Sequence, residues 1–314
     1  MIRFVVRRLG FVVISLVLSS VVVFTATQVL PGDVATMVLG RFASEQAKEN
    51  LREELGLNRP LPVQYGDWLV NFATGDWGDS ISTNSAVRPL AFQRLRNSAM
   101  LGLVGLVMYV PLGVVLGLIA ALRRNSYVDQ VISVGSLAFI GLPEFVTAVI
   151  LIAVFALKLG WFPSQSAISP DAGFFEALPR LILPGITVSL TSLAYIVRMT
   201  RSSTVEVLRM DYVRTAHLKG LSPARVLFTH VLRNALLPTV TVVAIGIGWL
   251  IGGLIVTESV FSYPGLGRLL LFGIQRRDLP LIQATTMLLV VIFSLSNLLA
   301  DIIYAYLNPR IRYN

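Results

Sequence analysis

Glu144 is the single charged residue in an apolar stretch, residues 130–157, and it directly follows Pro143. A carboxylate at mid-membrane depth is costly, so it faces a cavity or a partner rather than lipid. Pro143 also frees a backbone carbonyl beside it. Two chemistries fit: a path residue that meets a passing amino group, or a carboxylate that is protonated or hydrogen-bonded between helices. Asn297 and Asp301 stand near the end of the last apolar stretch. They can form an inner gate on a path, or Asp301 can pair with an arginine at the same face, such as Arg198. The other reactive types are scarce. The two histidines, His217 and His230, lie in one basic segment, and cysteine is absent. Neither a histidine-based metal site nor a Ser–His pair within the apolar stretches is expected, and no metal site is assigned. Lys48, Lys158 and Lys219 follow Ala47, Leu157 and Leu218. A phosphate loop needs Gly-Lys followed by Ser or Thr, so the chain cannot cradle ATP in that way.

The elements that carry these residues are membrane spans. Hydrophobic residues make up 55% of the 314 residues and charged residues only 14%, against about 25% in soluble domains. Six stretches approach the roughly 20 apolar residues of a spanning helix: residues 9–30, 97–122, 130–157, 181–197, 234–257 and 279–300. The first begins with Arg3, Arg7 and Arg8, as a signal peptide would. It is too long for that and no small-residue cleavage site follows, so it reads as a retained helix. Fourteen of the 26 basic residues but three of the 17 acids fall on the face shared by both termini. That asymmetry places both termini in the cytoplasm. It also accounts for the net charge of +9 without nucleic acid.

Between the spans the chain divides into four soluble pieces. The outer segment, residues 31–96, is long enough for a small subdomain, with a polar helix over 44–55 that stops at Gly56. A short outer loop covers 160–179. The inner segment, 198–233, is the most basic part of the chain. Within it, a short helix is expected to run to Lys219, break at Gly220 and resume with Ser222 as cap and Pro223 in first position. A second outer segment, 258–278, contains the turn signal Tyr263-Pro264-Gly265 and then an apolar run.

The string TAHLKGLSPARVLFTHVLRNALLP, residues 215–238, resembles the EAA loop of ATP-binding-cassette import permeases in its dipeptide and oligopeptide form. Thr215 stands where the family has a leading Glu and His217 where it has a second Ala, while Gly220 and Leu237-Pro238 are kept. The resemblance extends along the chain through LPGDVAT, LGLNRPLPVQYGDWL, GDWGDSI, RRNSYVDQ, FALKLGWFP, ESVFSYPGLGRLLLFGIQRRDLPL and NLLADIIYAYLNPRIR. In order and spacing these look like the first of the two permeases in a peptide or nickel importer. The resemblance implies an all-helical permease of the type I importer fold, multi-pass in a bacterial or archaeal inner membrane. Its implied partners are a second homologous permease, one or two kinds of ATPase subunit that bind the ATP and magnesium, and an extracytoplasmic substrate-binding protein. It implies that Thr215, Ala216, His217, Lys219, Gly220, Leu221, Ser222, Pro223 and Arg225 dock into the ATPase. Gly220 would let two backbones come close there. At the outer face it implies a short helix dipping back into the membrane. Glu258, Ser259, Tyr263, Arg276 and Asp278 are expected there as gate residues or as contacts to the binding protein.

The resulting organisation is a first span (1–30), an outer subdomain (31–96), a five-helix core with its inner loop (97–307) and a cytoplasmic tail (308–314). The cargo is read as di- or oligopeptide, with nickel and glutathione as alternatives within the family. An ion-coupled secondary transporter is a further alternative, weakened by the few ionisable groups in the spans and by the lack of an inverted repeat. A membrane-embedded hydrolase fails for want of a base. The chain itself is expected to be non-catalytic.

Overall fold

The computed structural model describes residues 2–29, 36, 39, 42–54, 56, 58–169 and 172–307. The string LPGDVAT, apart from Thr36, and the tail 308–314 lie outside them. The architecture is helical throughout its named elements. Helix α1 is Ile2–Val29, and the outer segment supplies α2 (Glu45–Glu54) and α3 (Leu61–Thr74). The core follows with α4 (Val87–Leu122), α5 (Tyr127–Gly141), α6 (Glu144–Leu151, prolonged by a π-helical stretch Ile152–Lys158) and α7 (Phe174–Leu208). On the inner side come α8 (Asp211–Leu218) and α9 (Pro223–Val226), and a π-turn Leu227–Val231 leads into α10 (Leu232–Val260). The chain closes with α11 (Leu266–Arg276) and α12 (Leu279–Leu307).

α7 is the centre of the bundle, packed mainly between α4 and α10, with α5 and α6 at its side. Two glycines set how closely α4 approaches it. A β-carbon at Gly113 would stand 2.7 Å from Ile196 Cγ2, and one at Gly117 2.7 Å from the Val197 carbonyl. Without a hydrophobic drive between helices in lipid, such backbone proximity is what gives packing energy. Ser189 of α7 adds hydrogen bonds to the carbonyls of Gly185 (2.6 Å) and Gly105 (3.1 Å). α1 stands at the edge, packed chiefly on α12. Its outward face carries Val13, Leu18 and Val22, each more than half exposed. Val107 on α4 and Val134 on α5 are also exposed. An apolar outside of this kind is the lipid-facing surface.

Among the described residues five helices are long and apolar enough to cross a membrane, and α5 with α6 forms a further pair bent by 105°. The sequence stretch 130–157 is therefore not one straight span. Pro143 has no N–H to continue α5 and forces Leu142 into an extended conformation (φ −88°, ψ 125°), so the helix restarts at Glu144. Cross-links at the two faces fix the path. Arg8 meets Asp301, and Arg201 meets Asp129, at one face. Ser80 meets Asp278, and Ser166 N–H donates to the Phe261 carbonyl, at the other. The bent pair carries the chain from the Asp129 face to the Ser166 face, so it makes one crossing, for six in all with both ends of the bundle on one side.

Span boundaries move where polar residues extend a helix beyond the apolar run. α4 starts at Val87, so the boundary drawn between residues 96 and 97 falls inside a continuous helix of 36 residues. Its length, about 54 Å, exceeds the roughly 30 Å of hydrocarbon, and the excess projects outward. α7 likewise continues past Arg198 to Leu208, so the inner loop begins at Arg209. The outer subdomain keeps its expected polar helix, with Gly56 at φ +67° behind it. It adds α3, joined to α1 and α4 by a ladder of rings. Phe24 meets Tyr65, Phe72 stacks on Trp77 at 5.0 Å, and Trp77 on Phe92 at 5.4 Å.

Candidate functional site

At the inner face, α8 ends in a hydrogen-bonded turn that follows from its sequence. Gly220 takes φ +77°, a conformation that costs any residue with a β-carbon about 1–2 kcal/mol. Its N–H donates to the His217 carbonyl at 2.9 Å and that of Leu221 to Ala216 at 3.4 Å. These two bonds are a Schellman closure of the helix. Ser222 then occupies the cap position of α9 and Pro223 its first turn, but the Ser222 side chain makes no capping bond. No atom lies within 4 Å of where a Gly220 β-carbon would be. The glycine therefore serves the backbone angle here, and the close backbone approach expected of it does not occur within the chain.

Two short helices joined by a turn were expected; the second is instead the start of a long one. α9 runs through the π-turn Leu227–Val231 directly into α10. The backbone stays helical through the π-turn, so α9 and α10 form one continuous helix. Val207, Val213, Ala216, Val226, Val231 and Ala235 form a small apolar core beneath the turn. Outside it Thr215, His217, Lys219, Ser222, Pro223 and Arg225 are exposed. So are Leu218 at 79% and Phe228 at 68%. Thus Ala216 is core, Leu221 is half-buried against it, and the rest of the expected docking set faces outward. Beside this lever Asp129, almost buried, accepts both Nε and Nη2 of Arg201 at 2.5 and 2.7 Å, tying α5 to α7. A two-bond pair of this geometry is strong and directional.

Glu144 opens α6 at the bend, half-buried, and accepts a hydrogen bond from Thr257 of α10. It lines a cavity of about 570 Å³ with Tyr109, Thr191, Ser192, Tyr195 and Gly246. Asn297 and Asp301 are elsewhere, in the groove between α1 and α12. Asp301 pairs with Arg8 at 3.1 Å, whereas Arg198 lies over the Tyr195 ring at 5.9 Å. The expected Arg198 partner is thus replaced by one that reaches Asp301 across the α1–α12 contact. The structure does not bring Asn297 and Asp301 to the Glu144 cavity.

At the outer face three of the five expected surface residues are buried. Glu258, Tyr263 and Asp278 are each 0% exposed, so they cannot present side chains to another protein. Glu258 accepts Ser98 Oγ at 2.5 Å and the Arg268 N–H at 3.0 Å, capping the start of α11. Its carboxylate occupies the place where a Gly265 β-carbon would stand, so only glycine fits there. Tyr263 donates to the Asn97 carbonyl at 2.7 Å, and Asn97 Nδ2 to the Pro264 carbonyl at 2.8 Å. Asp278 accepts Ser80 Oγ at 2.6 Å, the Ser82 N–H at 2.9 Å and the Leu281 N–H at 3.3 Å. One carboxylate thus holds each end of α11. Ser259 is half-buried and bonds the Ile255 carbonyl at 2.6 Å, and Arg276 is exposed over Phe272. Asn97, Ser98 and Ser80 are the clamp partners that sequence reading missed, because nothing local marks them.

The site thus comprises an exposed two-helix turn on one face, a clamped helix on the other and, between them, a mostly apolar cavity with a few polar side chains. Residues 113–313 match the family described as binding-protein-dependent transport system inner membrane component. Residues 1–91 match its N-terminal companion. The chain belongs to this family. The permease is 40% identical to a probable peptide ABC transporter permease of Sinorhizobium fredii, over 99% of both chains. It is 37% identical, over the full length of both, to a dipeptide transport system permease of Alkalihalophilus pseudofirmus. A glutathione transport system permease of Escherichia coli K12 is 38% identical over the full length of both. Its fold matches the MetNI methionine ABC transporter in an inward facing conformation, with a TM-score of 0.52 and 19% identity, over 69% of this chain and 94% of that one. The permease is therefore a multi-pass protein of a bacterial inner membrane.

Proposed function

We propose that the permease is one of two homologous membrane subunits that form the path of an ATP-driven peptide importer. It is itself non-catalytic: ATP and magnesium belong to one or two kinds of ATPase subunit, and an outer binding protein delivers cargo. The observation that carries this reading is the lever. Thr215, Ala216, His217, Lys219, Gly220, Leu221, Ser222, Pro223 and Arg225 form or support a knob whose second helix continues as the fifth crossing. Exposed Leu218 and Phe228 supply apolar area for a partner, and the surrounding arginines and Lys219 supply charge. For ATP and the binding protein to be coupled, both must favour the same conformation of the permease. A push on α9 that moves α10 satisfies the inner half of that condition. Arg276 and Ser259 stand as the outer contacts that remain accessible or partly so.

Peptide cargo is supported by the peptide and dipeptide relatives; the glutathione relative, similar to the same degree, supports a modified tripeptide as the second reading. The test is co-purification of the ATPase with the wild-type permease and with Gly220→Asp. Loss of the ATPase in the variant, with the permease still folded in the membrane, is expected. Uptake driven by an ion gradient in the absence of nucleotide would overturn the reading. A binding assay of the partner binding protein against di-, tri- and oligopeptides and glutathione decides the cargo.

A further inference from the structure

The cavity between α4, α6, α7 and α10 is bordered by two polar groups with unused hydrogen-bonding capacity. Tyr109 is only 1% exposed, yet its hydroxyl has no hydrogen-bond partner among the described residues. Leaving a buried hydroxyl unmatched costs about 1–3 kcal/mol, and native structures rarely tolerate it without a use. The group beside it is Gly246, where a β-carbon would stand 3.3 Å from the Tyr109 oxygen. The hydroxyl is buried against that glycine at the cavity wall, so it meets cargo by a turn of the Tyr109 side chain toward the cavity. Glu144 lies on the same wall system, its carboxylate positioned by Thr257. A carboxylate has acceptor sites for about four hydrogen bonds, so one threonine leaves it most of its capacity. Thr191, Ser192 and Tyr195 complete the polar lining, with aliphatic residues between them.

We propose that this cavity is a cargo station inside the permease that recognises a primary ammonium group and the carbonyl or amide next to it, the chemistry of a free peptide N-terminus. The inference rests on the peptide-importer reading above and adds that the membrane subunit itself takes part in selection. Glu144 supplies the counter-charge for the ammonium. The Tyr109 hydroxyl, able both to donate and to accept, serves the adjoining peptide group. The volume of about 570 Å³ is in the range of small-molecule sites, roughly 300–1,000 Å³. Half-burial of Glu144 and the apolar remainder of the lining make the station weak, as a path must be if cargo is to leave it.

The experiment uses the complete complex in lipid nanodiscs, without nucleotide and without binding protein. Saturation-transfer NMR measures alanyl-alanine and its N-acetyl form. The wild type should bind the free amine at least tenfold more tightly than the acetylated peptide. Glu144→Gln should erase that preference, and Glu144→Asp should restore part of it. Tyr109→Phe, which keeps the packing, should weaken both peptides several-fold without changing the preference. Equal binding of the two peptides by the wild type, no binding of either, or an unchanged preference in Glu144→Gln would overturn the station. ATP hydrolysis stimulated by binding protein, measured on the same preparations, reports separately on the importer reading. Peptide binding is scored without it, so one can fail while the other holds. Should Glu144→Gln not assemble, the wild-type pair and Tyr109→Phe still decide the matter.

Discussion

The permease turns back on itself at both membrane faces, and the two turns are made of opposite materials. The outer one, from Glu258 to Leu281, hides Glu258, Phe261, Tyr263, Leu266, Asp278 and Leu281 completely. Its buried Glu258, Tyr263 and Asp278 each find a partner on a distant helix or loop. The inner turn, from Arg209 to Pro223, buries Val213 and Ala216 and leaves most other side chains in the open. Its backbone hydrogen bonds are local ones within α8 and the Gly220 turn, and Tyr212 reaches further, its hydroxyl accepting Asn234 Nδ2 at 2.9 Å and donating to the His230 carbonyl at 3.4 Å. On the proposed function the difference separates two jobs. A part that moves as one body with the spans is fixed by long-range contacts inside the chain. A part that takes a push from another subunit keeps its contact surface unspent and its own shape locally closed.

If that contrast is right, single substitutions should hurt stability most at the outer turn. Glu258→Ala removes the cap of α11, leaves Ser98 Oγ and the Arg268 N–H without acceptors, and opens a void under Gly265. With unmatched buried groups at about 1–3 kcal/mol each and the void added, a loss of about 3 kcal/mol or more is expected. Thermal unfolding of the purified permease in detergent measures it. An unchanged midpoint would mean the clamp holds nothing.

The next effect belongs to the pin beside the lever. Arg201→Ala leaves Asp129, which is 3% exposed, without its cation. Buried pairs broken from one side cost about 3–5 kcal/mol. Arg201 is partly solvated and Asp129 keeps Asn125 N–H and Ser133 Oγ, so a loss of about 2 kcal/mol is expected. The double variant Arg201→Ala with Asp129→Asn should recover part of it, and a double variant no better than the single would remove the pair from the account.

Gly220→Ala comes third. The methyl meets nothing, so the only intrachain cost is the left-handed angle, about 1–2 kcal/mol and confined to the turn. The same variant should reduce binding-protein-stimulated ATP hydrolysis several-fold, a disproportion that no outer-turn variant should show. Equal loss of stability and coupling would erase the distinction between the two faces.

What the sequence made legible was what is written locally. Gly56, Gly220 and Ser222-Pro223 announce helix ends within a few residues, and the structure ends helices there. Long apolar runs announced the crossings. The clamp was not legible, because Ser98 and Glu258 are 160 residues apart and Ser80 and Asp278 are 198 apart. No period or spacing in one chain links such pairs, and Glu258 and Asp278 therefore read as surface charge. The bend at Pro143 lies between these cases. Its residue was visible, but hydropathy runs unbroken across it, and a window average has no means of seeing a 105° turn. Tyr109 gave no signal at all, since a tyrosine in an apolar helix reads as packing until its hydroxyl is found without a partner.

The smallest effect is expected at Ser222, and it tests how far local signals can be trusted. A serine in this position before Pro223 predicts a capping bond, and replacing such a cap by alanine typically costs about 1 kcal/mol. Here the side chain accepts nothing from α9. Its exposed position is occupied by backbone geometry alone, φ −63° and ψ 146°, which alanine also adopts. Ser222→Ala should therefore shift stability by less than about 0.5 kcal/mol, the ordinary range for surface changes. A loss near 1 kcal/mol in the isolated permease would show that the bond forms in solution and that the lever is stiffer than its exposed surface suggests. A shift that appears only when the ATPase is bound would place the hydroxyl in the docked interface instead, which is where a residue spared by the fold has room to act.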